Sequence, residues 1–179
     1  MLMVKVSKES MPKLFSDTGL RWLWLTLICL LLDQVTKQWV VGSFDLYESL
    51  PIFPVFSLTY VQNPGAAFSF LADQDGWQRW FFTAIAAIAS VVFIVWLAKT
   101  PKSDVLLSIA FALMLSGAMG NLIDRVLFGY VIDFLDFHWS GKRFPAFNVA
   151  DSVIFIGAAL MILDSFISDD NKTESNDTL

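Results

Sequence analysis

Apolar residues along this chain are concentrated in four long runs that are separated by more polar segments. The runs cover residues 22–41, 80–98, 105–123 and 149–167. Each is close to the length of about 20 mostly apolar residues with which an α-helix crosses a bilayer. Six of the seven tryptophans fall near the ends of these runs, and indole rings favour the headgroup region of a membrane. The pattern predicts an all-α membrane protein with four transmembrane helices.

The two long connections between the runs have a different pattern. Residues 55–62 are rich in β-branched and aromatic side chains with partial alternation, which predicts short strands at the membrane surface. Asn63-Pro64-Gly65 then ends this pattern as a turn. The second connection, residues 126–147, carries several charged residues among aromatic ones. We therefore expect a small β-structure beside the helices.

Lysine and arginine residues near the ends of the runs predict the orientation of the chain. They flank the first run and the short connection between the second and third runs: Lys5, Lys8, Lys13, Arg21, Lys99 and Lys102. Because basic residues mark the cytoplasmic side of a membrane, we expect both termini in the cytoplasm and both long connections outside. The first run is too long for the core of a signal peptide and lacks a small-residue cleavage site. We interpret residues 1–21 as a cytoplasmic arm, 22–167 as one membrane domain and 168–179 as a disordered acidic tail.

Composition and charge exclude several classes of function. The net charge is −5 without a basic stripe, which argues against a nucleic-acid partner. With one cysteine, Cys29, and one histidine, His138, the chain offers neither an internal disulfide nor a typical zinc-ligand set. We therefore expect no metal site and no cofactor. A Ser–His nucleophile pair is disfavoured as well, because no nucleophile-elbow pattern surrounds Ser116 or Ser152.

Two carboxylates lie in otherwise apolar sequence beside predicted helix ends, where an ionisable residue is costly and indicates a functional site. Apolar neighbours around Asp133 favour a raised pKa; the alternative is a surface carboxylate on an interfacial strand. Asp151 follows Asn148 at the spacing of an N-cap and an N3 acid, so helix capping alone is an alternative explanation. A helix N-terminus favours an ionised Asp151, and burial favours a protonated Asp133. Such a pair can activate water.

Four other charged residues allow two interpretations. Asp124 is a candidate acid at the end of the third run, but its neighbour Arg125 favours a structural salt bridge between the two. Asp33 and Lys37 lie four residues apart, hence on one helix face, and can pair. They are either a snorkelling pair near the outer end of the first span or a support that holds the outer loops or the catalytic residues in place.

Five short motifs occur in order over about residues 20–165. Any one of them is weak, but together, at matching span positions, they are specific. The motifs are Asp33-Gln34-x-x-Lys37, Asn63-Pro64-Gly65-Ala66-Ala67-Phe68, Gly117-x-x-Gly120-Asn121-x-x-Asp124-Arg125, Gly129-x-Val131-x-Asp133-Phe134 and Phe147-Asn148-x-Ala150-Asp151-Ser152. In these stretches the chain resembles the lipoprotein signal peptidases (signal peptidase II), which are aspartic peptidases of bacterial membranes.

The resemblance implies four transmembrane helices with a small outward-facing β-cradle and an interfacial loop, in the bacterial inner membrane. It also implies removal of the signal peptide from diacylglyceryl-modified prolipoproteins, with cleavage before the lipidated cysteine, and sensitivity to globomycin-type cyclic peptides. The partners would be these substrates and membrane lipids, and the active site would lie near the outer, periplasmic face. We expect the enzyme to be a monomer.

The resemblance also assigns roles to residues. The catalytic dyad falls on Asp133 and Asp151. Residues expected to line the site are Asn63, Gly117, Asn121, Arg125 and Asn148, and those expected to support it are Asp33, Lys37 and Asp124. Asp136, three residues after Asp133, is the competing candidate for the first position of the dyad.

The expected mechanism is non-covalent. One ionised carboxylate takes a proton from water, which attacks the carbonyl before the lipidated cysteine, and the other, protonated, donates to the carbonyl oxygen and then to the leaving amine.

Two other functions remain open. One is a small drug or ion transporter with Asp33 as the coupling carboxylate; the other is a non-catalytic membrane scaffold. Acids concentrated at one membrane face favour a reaction at the surface over transport.

Overall fold

The computed structural model describes residues 15–65 and 76–177, with side chains described as far as residue 167. The lysines of the N-terminal flank and residues 66–68 of the second motif lie outside the described residues. Within them, four helices are long and apolar enough to cross a membrane. The helices are α1 Leu23–Ser43, α2 Trp77–Lys99, α3 Val105–Leu127 and α4 Val149–Asp177.

The helices follow the predicted runs, with differences at their ends. A short 3₁₀-helix, Gly19–Trp22, precedes α1. α3 continues about one turn beyond the predicted end at residue 123, so that Asp124 and Arg125 both belong to the helix. α4 is helical as far as Asp177, whereas the acidic tail from residue 168 was expected to be disordered. The membrane-capable part of α4 found within the described residues is Val149–Ile167.

α3 lies at the centre of the bundle and packs against the other three membrane helices. Twelve of its residues are buried, compared with four each on α1 and α2. The small residues of α3 allow this close packing. A side chain at Gly117 would meet the carbonyl oxygen of Ala150 and the side chain of Ile154 on α4. The neighbouring helices expose many large apolar residues, as expected for surfaces that face lipid.

The β-structure is one antiparallel sheet of four strands in the order β1-β2-β3-β4. The strands are β1 Ser49–Phe53, β2 Phe56–Asn63, β3 Val131–Trp139 and β4 Lys142–Arg143. The prediction of short strands in the first long connection is therefore confirmed, and Pro51 lies on the edge strand, where its missing N–H is tolerated. β2 pairs with β3 so that Val61 is opposite Asp133. This pairing brings the two long connections together above the helices.

Candidate active site

A cavity of about 730 Å³ lies between the sheet and α4. Its polar wall is formed mainly by residues from four elements of the fold, β2, α3, β3 and α4: Asn63, Asn121, Arg125, Asp133 and Asp151. The rest of the lining is mostly apolar and comes from the residues before α4 and from the α4 face that carries Ile154, Phe155 and Ala158. Five polar groups thus converge at one end of an apolar cavity, which is typical of a binding site.

The start of α4 positions Asp151. Asn148 precedes the helix, its side-chain oxygen accepts the backbone N–H of Asp151 (2.9 Å), and the Asp151 carboxylate accepts the backbone N–H of Asn148 (3.3 Å). This reciprocal pair is a capping box, so the predicted capping role of the two residues is present. Asp151 nevertheless also lines the cavity. Capping and a role in the cavity are therefore compatible at this position.

Two asparagines connect Asp151 with Asp133, which projects from β3. Asn148 Nδ2 donates to Asp133 Oδ1 at 2.7 Å, and Asn121 Nδ2 donates to Asp151 Oδ1 at 2.7 Å. The orientation of the Asn121 amide follows from Lys37, whose Nζ lies 3.1 Å from its oxygen and can only donate. The amide of Asn148 is oriented in the same way by the N–H of Asp151. Both amide groups therefore present N–H donors to the carboxylates.

Asp133 is almost completely buried, and Asn63 Nδ2 donates to its second oxygen at 3.0 Å. Burial and the negative charge of Asp151 raise the pKa of Asp133 from 3.8 to about 7. The hydrogen bonds from Asn63 and Asn148 and the charge of Lys37 oppose this increase. Asp133 can therefore carry a proton near neutral pH, as its apolar sequence neighbours predicted.

Lys37 forms ion pairs with two further aspartates, Asp33 and Asp124. Its Nζ lies 2.9 Å from Asp33 Oδ2 and 2.9 Å from Asp124 Oδ2, and all three side chains are buried. The predicted Asp33–Lys37 pair is confirmed, but burial excludes the snorkelling interpretation. Asp33 Oδ1 accepts the N–H of Ala150 at the start of α4 (2.8 Å), and Asp124 accepts the N–H of Ile132 on β3 (3.1 Å). The three residues thus support the segments that carry the cavity acids.

The predicted salt bridge between Asp124 and Arg125 is wrong. Adjacent residues on a helix do not face each other, and Asp124 pairs with Lys37 instead. The guanidinium of Arg125 lines the cavity. It donates to the carbonyl oxygens of Asn121 (3.2 Å) and Gly65 (3.1 Å), and it lies over the ring of Phe82 at 5.5 Å. Arg125 is therefore a cation at the cavity wall.

Comparison with known proteins decides the family. The model of the signal peptidase II family matches residues 25–167. The lipoprotein signal peptidase of Shewanella pealeana is 54% identical over 166 residues, which cover 92% of this chain and 98% of that protein. The chain belongs to the signal peptidase II family. The chain is also 54% identical to the lipoprotein signal peptidase of Alteromonas mediterranea, over 93% of its own length and 91% of that relative.

A solved structure agrees with the assignment. A bacterial membrane enzyme determined by the in meso method at 2.3 Å resolution has a TM-score of 0.77 and 31% identity, covering 87% of this chain and 94% of the other. The resemblance to lipoprotein signal peptidases is thus confirmed, and the peptidase is a multi-pass bacterial membrane protein. The transporter alternative is excluded in favour of peptidase activity. Its coupling residue, Asp33, is completely buried and paired with Lys37.

Not all residues that were expected to line the site do so in the peptidase. Gly117 packs against α4 and is not among the residues that line the cavity. Asn148 is completely buried behind the two acids. Asp136 accepts from Thr59 (2.8 Å) and pairs with Arg143 (3.3 Å). Its position three residues after Asp133 on a strand directs its side chain to the opposite face of the sheet.

Sequence reasoning missed the role of Gln34. Its Nε2 lies 3.1 Å from Asp33 Oδ2 and 3.0 Å from Asp124 Oδ1, and it also donates to the carbonyl oxygen of Gly120. Gln34 thus joins the two acids that share Lys37. The one feature of the sequence that could have indicated this role is the position of Gln34 in the first motif, between Asp33 and Lys37.

Proposed function

We propose that Asp133 and Asp151 are the catalytic dyad of the peptidase and that they act together on a water molecule. The observation that carries this proposal is the set of bonds made by Asn148. Its Nδ2 donates to the Asp133 carboxylate, its backbone N–H donates to the Asp151 carboxylate, and its side-chain oxygen accepts the backbone N–H of Asp151. One asparagine thus holds both acids, and both line the same cavity. Two acids in one site favour a state in which only one is ionised.

The surroundings of the two carboxylates support different roles for them. The raised pKa of Asp133, about 7, supports the protonated form. Asp151 accepts two N–H groups, from Asn121 and from the backbone of Asn148, at the N-terminus of α4, where negative charge is favoured. Asp151 then takes a proton from water, and the resulting hydroxide attacks the scissile carbonyl. Asp133 donates its proton to the carbonyl oxygen, which gives a tetrahedral intermediate. The C–N bond then breaks, the proton that Asp151 took from water passes to the leaving amine, and a hydroxyl proton of the intermediate returns to Asp133.

The apolar part of the cavity supports the expected substrate class. Ile154, Phe155 and Ala158 line it on the membrane side, where the acyl chains of a lipid-modified prolipoprotein can lie. The dyad then cleaves before the lipidated cysteine, since the lipid places that residue next to the polar wall. Globomycin-type cyclic peptides would compete for the same cavity. We further propose that the peptidase acts as a monomer.

We also propose that both termini are cytoplasmic and that the dyad lies near the outer face. The start of the first span supports this orientation, because the N–H of Gly19 donates to the carbonyl oxygen of Thr100 between α2 and α3 (2.9 Å). Arg21, Lys99 and Lys102 therefore share one end of the bundle, which the positive-inside rule assigns to the cytoplasm. The expected external position Asp75 lies outside the described residues. Labelling of a cysteine at position 142 from outside, in a Cys29→Ser background, tests this orientation; labelling only from inside would overturn it.

The decisive experiment compares three variants on a purified lipidated prolipoprotein. Asp133→Asn and Asp151→Asn should each remove cleavage while leaving membrane insertion intact, because an amide cannot exchange a proton with water. Asp136→Asn is the matched control on the same strand and should cleave. If both dyad variants cleave, the proposed mechanism is wrong; if only Asp136→Asn is inactive, the dyad is assigned to the wrong acid. Globomycin should inhibit the wild type, and a chelator should leave its activity unchanged.

A further inference from the structure

Arg79, in the first turn of α2, binds the end of α3. Its Nε donates to the carbonyl oxygen of Arg125 (3.0 Å), and its Nη2 donates to the carbonyl oxygen of Val126 (2.8 Å). The last carbonyl groups of a helix lack partners within the helix, and a cation at this end also complements the helix dipole. Arg79 therefore caps α3 from a neighbouring helix.

Gly129 makes room for this contact. It has a φ of +89°, and a Cβ built on it would lie 3.2 Å from Nη1 of Arg79 and 3.4 Å from its Cδ. A larger residue would be strained by the backbone conformation and would also press on Arg79. This contact and the positive φ explain why the fourth motif has a glycine at position 129. Together, Arg79 and Gly129 form a contact that we call the α2–α3 latch.

The latch lies at the turn that joins two parts of the active site. Before the turn, α3 carries Arg125 at the cavity wall; after it, β3 carries Asp133. Phe82, almost one turn after Arg79 on α2, lies under the guanidinium of Arg125. The start of α2 therefore supports both the backbone and the side chain of Arg125, although Arg79 itself is not among the residues that line the cavity.

We propose that Arg79 is a positioning residue for peptide cleavage, which acts by fixing Arg125 and the start of β3 relative to each other. The proposal rests on the role of Asp133 in the dyad. Reacting groups that shift by about 1 Å can lose about 100-fold in rate, so a loose turn between Arg125 and Asp133 lowers kcat. Substrate binding in the apolar part of the cavity, along α4, does not depend on the latch.

The test measures kcat and KM for cleavage of a lipidated prolipoprotein by detergent-purified full-length variants at equal folded content. Arg79→Met, which keeps the alkyl stem and loses all donors, should lower kcat about 10-fold or more with KM nearly unchanged. Arg79→Lys, which keeps the charge and part of the donation, should recover part of that loss. Gly129→Ala should resemble Arg79→Met. The double variant should lose little more than either single one, since both substitutions break the same latch.

Arg21→Met is the matched control, because Arg21 also lies over its neighbouring tryptophan, at 5.8 Å, as Arg79 does at 5.1 Å. Arg21→Met should keep the kcat of the wild type. An unchanged kcat in Arg79→Met, an equal loss in Arg21→Met, or additive losses in the double variant would overturn the proposal. If Arg79→Met does not fold, Arg79→Lys and Gly129→Ala are compared in its place. Cleavage by Asp133→Asn in the same assay would overturn the dyad and the role of Arg79 with it, whereas failure of the Arg79 variants alone leaves the dyad intact.

Discussion

Asn121 connects two pairs of aspartates: its side-chain oxygen accepts from Lys37, which the first pair shares, and its Nδ2 donates to Asp151 of the second pair. Asp33 and Asp124 share the ammonium group of Lys37, at 2.9 Å from each. Asp133 and Asp151 share a neutral side chain, that of Asn148. The first pair therefore has a cation within bonding distance, and the second pair has only amide donors.

The group that each pair shares distinguishes a supporting role from the proposed catalytic role. A buried cation bonded to two carboxylates compensates their charge and ties together the segments that carry them. Neutral N–H donors hold Asp133 and Asp151 in place without cancelling their charges. Burial and the charge of Asp151 can therefore both raise the pKa of Asp133. Arg125 lines the same cavity, but the described contacts give it no ion pair with either acid. Aspartate thus serves two purposes in this protein. The pair that shares Lys37 supports the structure, and the pair that shares Asn148 is the one proposed to be catalytic.

The largest effect is expected when the shared cation is removed. Lys37→Met leaves Asp33 and Asp124 buried without their partner, and loss of one member of a buried ion pair costs about 3–5 kcal/mol. The protein should lose most of its thermal stability in detergent. Lys102→Met is the control, because Lys102 pairs with Asp17 at 3.7 Å on the exposed surface, and such pairs contribute about 1 kcal/mol at most. Similar melting temperatures for both variants would contradict the role of Lys37.

The second prediction compares one acid from each pair. Asp124→Asn should cost about 2–3 kcal/mol of stability, because one Asp124 oxygen accepts from Lys37 and the other from Gln34, and an amide NH2 in either place would face a donor. Asp133→Asn should cost little, or should stabilise the protein, since it relieves repulsion from Asp151. Thermal unfolding of both variants and their cleavage activity are the measurements. A stable but inactive Asp124→Asn, or an unstable Asp133→Asn, would remove the distinction between the two pairs.

The location of the helices could be predicted because each span is a long apolar run. The exact ends could not, since a charged residue ends an apolar run in the sequence but not a helix. Asp124 is fully buried by its contact with Lys37, and α3 therefore continues past residue 123. The acidic composition after residue 167 likewise predicted disorder, where α4 continues to Asp177.

Pairing of the site residues was predictable only within one helix. Asp33 and Lys37 lie four residues apart, so helical geometry alone brings them together. The contact between Lys37 and Asp124 joins α1 to α3, and local spacing carries no information about it. The nearest cation in sequence, Arg125, was therefore chosen in error. The candidate acids Asp133 and Asp151, by contrast, were indicated by their apolar neighbours and their motifs.

The third prediction uses pH to separate the two pairs. The folded protein holds the proton on Asp133 up to about pH 7, whereas an unfolded chain releases it near the ordinary value of 3.8. The folded state therefore binds more protons in this window, and the contribution of Asp133 to stability decreases as the pH rises from about 4 to about 7. Asp133→Asn should remove this slope in thermal unfolding. Cleavage should decrease as the pH rises through about 7, because the acid form is lost. An identical slope in Asp133→Asn would contradict the assignment.

The smallest effect is expected at Asp136, which is buried like Asp33, Asp124 and Asp133 but belongs to neither pair. It accepts from Thr59, and its partner Arg143 has a mostly exposed side chain. Asp136→Asn retains an acceptor for Thr59 and loses only a weak ion pair, so stability should fall by about 1 kcal/mol or less. The rate of cleavage should remain close to that of the wild type. A loss of cleavage at unchanged stability would show that burial alone, rather than the shared side chain, selects the reactive acids.

The hydrogen bond from the N–H of Ala150 to Asp33 connects residues 117 positions apart. Asp33 belongs to the first of the four spans, and Ala150 lies at the start of the fourth. The ribosome therefore synthesises Ala150 long after Asp33. Asp151, which follows Ala150, belongs to the same late segment. With the proposed dyad, a nascent chain that has inserted only the first three of these spans lacks one catalytic acid, so cleavage requires the fourth.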